Sequence, residues 1–254
     1  MEQIRLLVVD IDGCLVAIEH AAYDLAGLAR VADLNRQSRE DETVPPLTIL
    51  SGRPHPYVDA LMQILDIQVP AIFENGAGLA LRSPYGARYR PEAESGRADL
   101  ENLGRELRRH CEFSIQPGKS ASLTLFPRDD EAGISEIERV LAELFERHSL
   151  DLVIDPAQEC VNVLVPGVDK GLGLRWLAEE LGVPLAQVAG IGDSVGDLAW
   201  LSQCGLSCAP SNAEERVRES VDGVSAYEDV AAVIELYERV IESNRAARTV
   251  TRGE

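Results

Sequence analysis

The sequence predicts an α/β fold with an open parallel sheet and a separate, inserted small α+β domain. Short, nearly continuous apolar runs recur towards both ends of the chain, which is typical of parallel strands buried on both faces. Amphipathic helical patterns alternate with these runs, which favours a parallel sheet. The middle of the chain differs, because a helix followed by two short strands occurs there twice. A chain of 254 residues has room for one large domain or two modest ones.

The outer parts of the chain contain the candidate elements of the parallel sheet. The predicted strands are the apolar runs at 4–9, 47–50, 71–73, 188–191 and 206–209. Two helices are indicated by apolar residues spaced three and four apart: Leu174, Leu177, Ala178 and Leu181, and Val230, Val233, Ile234, Tyr237 and Ile241. Residues 36–46 indicate a polar loop, and residues 245–254 a frayed tail.

The repeated pattern in the middle predicts the inserted domain. Its helices are marked by Leu100, Leu103 and Leu107, and by Ile134, Ile137, Leu141 and Leu144. Two strand candidates follow each helix, near 112–115 and 122–126, and near 152–154 and 161–165. Antiparallel pairs packed on helices would form their own core. We therefore expect a sheet domain of residues 1–83 and 167–254 and an inserted domain of residues 84–166.

Charge and cysteine usage exclude several classes of partner and compartment. The chain has 43 acidic and 24 basic residues, a net charge of −19, which opposes binding to nucleic acid or to an anionic membrane. No run is long enough for a membrane helix, and the N-terminal run does not resemble a signal peptide. The cysteines are odd in number and form no C-x-x-C pair, which predicts reduced thiols and a cytoplasmic protein: Cys14, Cys111, Cys160, Cys204 and Cys208.

Aspartates follow two of the predicted buried strands. Asp10 and Asp12 precede Gly13 after the first run, and Asp193 and Asp197 follow the run at 188–191. Ligands of open α/β sheets bind at the carboxyl ends of strands, so these carboxylates are expected at one site. Turn formation and helix capping are the alternative explanations. Crowded carboxylates need a cation, and a set of oxygen ligands favours Mg²⁺.

A second group of residues indicates an anion site. Ser51, Gly52 and Arg53 end the second predicted strand, where a hydroxyl and a backbone N–H suit a phosphate oxygen. Lys170, one of two lysines in the chain with Lys119, begins a predicted helix. A cation is unfavourable at a helix N-terminus, which favours a functional explanation for Lys170. A loop serine and an exposed surface lysine are the alternatives for Ser51 and Lys119.

In chain order these segments resemble the four motifs of the haloacid-dehalogenase-like (HAD) phosphohydrolases: Asp10-x-Asp12-Gly13, Ser51-Gly52-Arg53, Lys170, and Gly192-Asp193-Ser194-x-x-Asp197. Two further segments resemble the large-cap branch, which is Cof-like, sucrose-phosphatase-like and phosphoglycolate-phosphatase-like: Glu74-Asn75-Gly76-Ala77 and Ser211-Asn212-Ala213. The resemblance covers nearly the whole chain. It implies a Rossmann-like core domain, an inserted α+β cap domain, and an Mg²⁺-dependent phosphatase acting on a small phosphomonoester, such as a sugar phosphate or phosphoglycolate.

The resemblance also implies residue roles. Asp10 would be the nucleophile that forms an aspartyl-phosphate, and Asp12 the general acid and base. The expected metal ligands are Asp10, the backbone carbonyl of Asp12, Asp193 and Asp197, the last either directly or through water. Ser51, Gly52 and Lys170 would hold the phosphoryl group, and Asn212 would orient these groups. The candidates for contacting the leaving group are Arg53, Asn75, Lys119 and Arg128.

Three residues depart from the family pattern. Cys14 stands where threonine is usual, Gly196 where asparagine is frequent, and Trp200 where methionine is common. None of them removes a carboxylate or the lysine. The alternatives to a phosphatase are a phosphoryl-transfer mutase, a signalling receiver domain and a catalytically silent member that binds a ligand. A mutase usually carries its cap after the first motif, and a receiver domain carries no inserted domain. No pattern indicates an oligomeric state.

Overall fold

The structure of the protein, a computed structural model, describes residues 2–17, 22–109, 113–128, 133–157 and 159–252. The strands are β1 Leu6–Val9, β2 Leu47–Ile49, β3 Ala71–Phe73, β4 Gly78–Arg82, β5 Tyr85–Tyr89, β6 Phe113–Ile115, β7 Leu123–Pro127, β8 Val153–Pro156, β9 Val161–Leu164, β10 Val188–Ile191, β11 Leu206–Ala209 and β12 Gly223–Val224. The α-helices are α1 Leu25–Gln37, α2 His55–Ile64, α3 Pro91–Ser95, α4 Arg97–Leu107, α5 Gly133–His148, α6 Lys170–Leu181, α7 Leu198–Leu201, α8 Glu215–Arg218 and α9 Asp229–Arg252.

The predicted parallel sheet is present, with strand order β12-β11-β10-β1-β2. Its central strand is buried on both faces, and successive side chains alternate between two apolar clusters. Leu7 and Val9 pack on one side with α1, α2 and α9, while Leu6 and Val8 pack on the other with α6 and α7. The sequence of β1 is a continuous apolar run because both faces of the strand are buried.

The run at 71–73 forms a strand, but its main partners differ from the predicted parallel ones. Strand β3 belongs to a three-stranded antiparallel sheet, β3-β4-β5. Among the described residues, its pairing with the parallel sheet is one parallel bridge between Leu50 and Ile72. Strand β4 pairs with β5 on one edge and with β3 on the other. Strand β5 starts at Tyr85, so it pairs with β4 across the boundary proposed at residue 84.

The middle of the chain forms the predicted α+β unit. A four-stranded antiparallel sheet, β6-β7-β9-β8, packs on α4 and α5 around a separate apolar cluster. Each helix precedes a pair of strands, as the repeated pattern predicts. Residues 111–112, including Cys111 and the start of the first predicted strand, lie outside the described residues.

The prediction of a frayed tail from residue 245 is wrong, because α9 continues to Arg252. Asn244, which is buried, holds this helix against the start of β1. Its side-chain amide donates to the carbonyls of Ile4 and Thr43, each at 2.9 Å, and its oxygen accepts from the Ile4 N–H at 2.9 Å. Asn244 thus adds a buried polar anchor to a helix whose apolar residues pack in the main core.

The described cysteines and helices bear on disulfide formation and on membrane insertion. Cys14, Cys160, Cys204 and Cys208 are all free thiols, as predicted. Of the helices described, none combines the length and the apolar character required to cross a bilayer.

Candidate active site

The carboxyl ends of three parallel strands bring the motif residues together. Asp10 directly follows β1, Ser51 follows β2 by two residues, and Asp193 follows β10 by two residues. Asp10, Asp193 and Asp197 are buried, and one carboxylate oxygen from each lies within 4.8 Å of the others. Sheet topology therefore gathers residues that are up to 187 positions apart in sequence, which is why the site forms at this edge.

Lys170 is the cation of this cluster. It is the first residue of α6, whose N-cap Asp169 accepts a hydrogen bond from the Leu172 N–H. The Lys170 Nζ lies 2.7 Å from Asp10 Oδ2 and 2.6 Å from Asp197 Oδ1. Burial alone would lower the pKa of Lys170, but the charges of Asp10 and Asp197 raise it above its usual value. The ammonium is therefore held charged between two carboxylates.

Asp197 has hydrogen-bond donors on both oxygens. Oδ1 accepts from Lys170 and from the Trp200 Nε1 at 2.8 Å, while Oδ2 accepts from the Ser194 hydroxyl at 2.8 Å and from the Ser194 and Asp193 backbone N–H groups at 3.0 and 3.2 Å. Burial favours a raised pKa for Asp197, but Lys170 and these donors lower it overall. This saturated carboxylate has little remaining capacity for a metal ion, so its role as a direct ligand stays a prediction.

Trp200, one of the departures from the family pattern, is fully buried beside Asp197. Its ring is accommodated by Gly190 on β10, where a Cβ would lie 2.6 Å from the indole Cζ3. Cys14 is also buried, with its Sγ 3.9 Å from Asp193 Oδ1. At Gly196 a Cβ would meet, among the described residues, the Ser194 hydroxyl oxygen at 3.6 Å, an ordinary contact distance that leaves room for a side chain.

Asp10 and Asp193 are the carboxylates that most need a further cation. Burial raises the pKa of Asp10 to about 7; Lys170 opposes the rise and Asp197 adds to it. Burial, followed by the charges of Asp197 and Asp10, raises the pKa of Asp193 to about 8. Within the described residues, the Cys14 thiol is the one donor that approaches the Asp193 carboxylate. Two buried, under-neutralised carboxylates fit a divalent cation.

Gly13 allows the first and fourth motifs to approach each other. Its φ is +72°, and a Cβ there would lie 2.3 Å from Asp193 Oδ2. Any other side chain would therefore clash with the carboxylate and strain the backbone. Asn212 supports the same turn rather than the acidic cluster, because its amide donates to the Gly13 carbonyl at 2.9 Å. The Asn212 oxygen accepts from the Asp229 N–H at 3.0 Å, so a role in orienting the site acts through Gly13.

Asp12 lies outside the three-carboxylate group and pairs with Arg53. The Arg53 Nε and Nη2 donate to the two Asp12 oxygens at 2.8 and 2.5 Å, in a bidentate ion pair. The guanidinium carbon also lies 4.9 Å from the centroid of the Tyr57 ring. Bonding to Asp12 raises the pKa of Arg53 further above its usual value. The pair is partly open to solvent, so a ligand entering from that side meets Arg53 and Asp12 together.

Asn75 presents a buried amide with no partner. It lies in the turn Glu74–Gly76, which follows β3, and its φ is +56°. Its backbone N–H donates to the Ser51 carbonyl at 3.0 Å, but its side-chain Nδ2 has no hydrogen-bond partner among the residues that the structure describes. Gly52 makes room for this side chain, since a Cβ there would lie 2.8 Å from Asn75 Oδ1. A buried donor next to Ser51 and Gly52 is the feature expected of an anion-binding group.

The two candidates from the middle of the chain are placed differently. Lys119 is half-buried, and its ammonium donates to the Thr124 hydroxyl. Burial lowers its pKa to about 8, against the opposing effect of Glu74, while the charge of Arg53 lowers it further. Arg128, which directly follows β7, donates instead to the carbonyl of Phe113 on the neighbouring strand β6 at 3.0 Å.

Glu74 belongs to a segment that resembles the large-cap branch, but the sequence alone did not indicate a role for it. Its side chain is fully buried and accepts hydrogen bonds from residues 120–122. Glu74 directly follows the predicted buried strand at 71–73. A buried carboxylate without a partner would be costly, so this position could have indicated a hydrogen-bonding role.

Comparisons with known proteins identify similar sequences and similar folds. The sequence profile of the haloacid dehalogenase-like hydrolases matches residues 93–236, more than half of the chain. A curated protein named phosphoglycolate phosphatase from Methanopyrus kandleri is 28% identical over 239 residues, covering 93% of this chain and 97% of the relative.

Solved structures share the fold. A protein from Thermoplasma acidophilum superposes with a TM-score of 0.72 at 21% identity, covering 94% of this chain and 99% of the other. A haloacid dehalogenase-like hydrolase from Bacteroides thetaiotaomicron gives a TM-score of 0.70 at 18% identity, covering 94% and 100%. With the profile match over more than half of its length, the chain belongs to the haloacid dehalogenase-like hydrolases.

Proposed function

We propose that the protein is a Mg²⁺-dependent phosphatase that hydrolyses a small phosphomonoester through an aspartyl-phosphate on Asp10. The observation that carries the proposal is the Lys170 ammonium bridging Asp10 and Asp197, next to an Asp193 carboxylate that lacks a strong donor. Several archaeal relatives are named phosphoglycolate phosphatase, which favours phosphoglycolate or a similarly small metabolite as the substrate.

The residues around Asp10 suit a divalent metal. Asp10 and Asp193 would hold it with carboxylate oxygens, together with the Asp12 backbone carbonyl, while Asp197 would act through Lys170 or a water molecule. When bound, Mg²⁺ supplies positive charge that neutralises the phosphoryl oxygens and the crowded carboxylates. The raised pKa values of Asp10 and Asp193 support this assignment, because both groups favour an added positive charge.

Phosphoryl transfer needs a charged nucleophile and aligned donors. Lys170 keeps Asp10 oriented through one oxygen, and the Ile11 N–H binds the other at 2.8 Å. Attack by an Asp10 oxygen on phosphorus would form the aspartyl-phosphate and release the alcohol. The Ser51 hydroxyl, the Gly52 N–H, the Asn75 amide and the Lys170 ammonium would bind the transferring oxygens, and the unpartnered Asn75 Nδ2 supports this role.

Asp12 would move the protons of the reaction. It would protonate the departing alkoxide and then take a proton from the water that attacks the aspartyl-phosphate. Its pairing with Arg53 holds the carboxylate in place before substrate arrives. An anionic leaving group would compete for the same guanidinium. Asp12, released from the ion pair, would take up a proton from solvent and then donate it to the departing alkoxide, so Arg53 would contribute both to binding and to the protonation of Asp12.

The remaining assignments concern the surroundings of the site. Residues 84–166 would form the cap, whose Lys119 would contact the leaving group, with residues 1–83 and 167–254 as the catalytic domain. Asn212 would orient the site through Gly13. Arg128 would contact substrate only if it left its bond to Phe113. The free thiols fit a reducing compartment, so we propose that the enzyme acts in the cytoplasm.

A substrate screen tests the proposal. The purified protein is assayed against phosphoglycolate, sugar phosphates, nucleotides and a small aryl phosphate, with Mg²⁺ and with a chelator. Hydrolysis that requires Mg²⁺ and that falls ~10³-fold or more in Asp10→Asn supports it, since an amide is a poor nucleophile. Turnover that survives the chelator contradicts the metal assignment. Ligand binding without turnover would instead support a catalytically silent member.

A further inference from the structure

Glu74 joins the phosphate-binding turn to a loop of the inserted unit. Its side chain is fully buried, and its backbone φ of +48° is unusual for a residue other than glycine. Its own N–H donates to the Arg53 carbonyl at 3.0 Å, and the next residue donates to the Ser51 carbonyl. The Glu74 backbone is therefore attached to residues 51–53, the segment proposed to bind phosphate, and strained backbone of this kind is concentrated at functional sites.

The Glu74 carboxylate points the other way and binds the loop of residues 118–122, hereafter the 118–122 loop. Oε1 accepts from the Ser120 N–H at 3.0 Å. Oε2 accepts from the Ala121 N–H at 2.8 Å and from the Ser122 hydroxyl at 3.0 Å. Hydrogen bonds to a charged carboxylate are stronger than those between neutral groups. Three of them from consecutive residues fix the position of the loop relative to Glu74.

The 118–122 loop carries Lys119 to the side of the site where Arg53 lies. Gly118 approaches Pro54, which follows Arg53, since a Cβ at Gly118 would lie 3.7 Å from the Pro54 ring. Within the described residues, no carboxylate lies within ion-pair distance of the Lys119 ammonium, whose hydrogen-bond partner is the neutral Thr124 hydroxyl. A half-buried ammonium paired only with a hydroxyl retains capacity for an anion.

We propose that Glu74 is a positioning residue that fixes the 118–122 loop against residues 51–53, so that Lys119 and Arg53 together bind an anionic group on the leaving side of the substrate. The proposal rests on the phosphatase function above. Lys119 and Arg53 would contact the anion, and Glu74 would act through the loop without touching the substrate. The substrate class that follows is a phosphomonoester whose alcohol carries a carboxylate or a second phosphate.

Two esters that differ in one terminal group measure this role. Phosphoglycolate carries a carboxylate where ethyl phosphate carries a methyl group, so the ratio of their kcat/KM values reports recognition of the anion. In Glu74→Gln, an amide N–H₂ faces backbone donors whichever way the side chain turns, which displaces the loop. We expect the ratio to fall ~10-fold or more, mainly through a higher KM for phosphoglycolate, because small displacements of binding groups are costly. Glu74→Asp keeps the charge and should recover part of the ratio.

A double-substitution cycle separates positioning from a general structural role. If Glu74 acts through Lys119, the ratio in Glu74→Gln/Lys119→Met should be no lower than in Lys119→Met alone. The matched control is Glu94→Gln, an exposed carboxylate on α3, whose ratio should equal that of the wild type. Equal losses on both esters in Glu74→Gln, or additive losses in the double variant, would overturn the proposal.

A milder variant covers the case in which Glu74→Gln does not fold. Ser122→Ala removes one donor to Glu74 Oε2 and leaves both backbone bonds, so the ratio should fall in the same direction by a smaller factor. An unchanged ratio in Ser122→Ala, with Glu74→Gln unfolded, would contradict the positioning role. Wild-type protein that hydrolyses neither these esters nor any other member of the substrate panel would refute the phosphatase function itself, which is a different failure from an active enzyme with an unchanged ratio.

Discussion

Lys170→Met should destabilise the metal-free protein strongly, because it removes the cation between two buried carboxylates. Methionine has a similar length but no charge, so Asp10 and Asp197 lose donors at 2.7 and 2.6 Å while both stay buried. Breaking a buried ion pair by removing one partner typically costs ~3–5 kcal/mol. Two charge-assisted hydrogen bonds at ~1.5–3 kcal/mol each give a similar range.

The pH dependence of that loss has a defined sign. The pKa of Asp10 is already raised to about 7 and that of Asp193 to about 8, and removing Lys170 takes away the charge that opposes both shifts. A carboxyl whose folded-state pKa is raised favours folding when protonated, and this contribution is lost as pH rises through the raised pKa. The unfolded carboxyl groups ionise at pH ~4, so stability falls from there up to the raised folded-state pKa. Because the variant's pKa values lie above those of the wild type, it should continue to lose stability above about pH 7 to 8, where the wild-type loss levels off.

Urea unfolding in the presence of a chelator, at pH 6, 7 and 8, measures the effect. Lys119→Met is the matched control, because it also removes a lysine but breaks no ion pair within the described residues. We expect Lys170→Met to lose ~3–5 kcal/mol at pH 7 and the control much less. A Lys170→Met midpoint equal to that of the control, or a loss that shrinks as pH rises, would refute the assignment of Lys170 as the cation of the site.

Three further outcomes are expected. Trp200→Phe removes one donor from Asp197 and should cost ~1.5–3 kcal/mol in urea unfolding, with lower turnover; unchanged stability and turnover would contradict the role given to the indole. Because the pKa of Lys119 is about 8, the KM for phosphoglycolate should rise as pH increases from 7 to 9, and a KM that stays flat would argue against this lysine as an anion ligand. Asn244→Ala should lower the free energy of unfolding by ~2–4 kcal/mol, since it leaves buried groups of Ile4 unpaired, whereas a change below 0.5 kcal/mol, as is usual for surface positions, would mean that the anchor is unimportant.

Residues at the ends of parallel strands were predictable from the sequence. A continuous apolar run followed by Asp10 places that carboxylate at a sheet edge, and the same argument applies to Asp193 and Ser51. The parallel register then brings them together without any further information. Lys170 was predictable for a different reason, since a cation at a helix N-terminus is unfavourable unless anions lie nearby.

Contacts that depend on distant partners were not predictable. The run at 71–73 has the composition of a buried strand in either kind of sheet, and only the hairpin of β4 and β5 decides its antiparallel partners. The buried contact near the end of the last helix joins Asn244 to Ile4, 240 positions away. Glu74 binds a loop 46 to 48 positions further on, a pairing that no local pattern encodes.

Acid-quench trapping of the phosphoryl group on Asp10 tests the central claim most directly. Asp12→Asn should slow hydrolysis of the intermediate more than its formation, so mixing this variant with Mg²⁺ and labelled phosphoglycolate should accumulate label on the protein. Trypsin then releases the peptide from Leu6 to Arg30, and fragmentation locates the label. The mechanism predicts label on Asp10, and none when Asp10→Asn is combined with Asp12→Asn. Label on another residue, or substrate turnover that leaves Asp10 unmodified at every quench time, would contradict the mechanism.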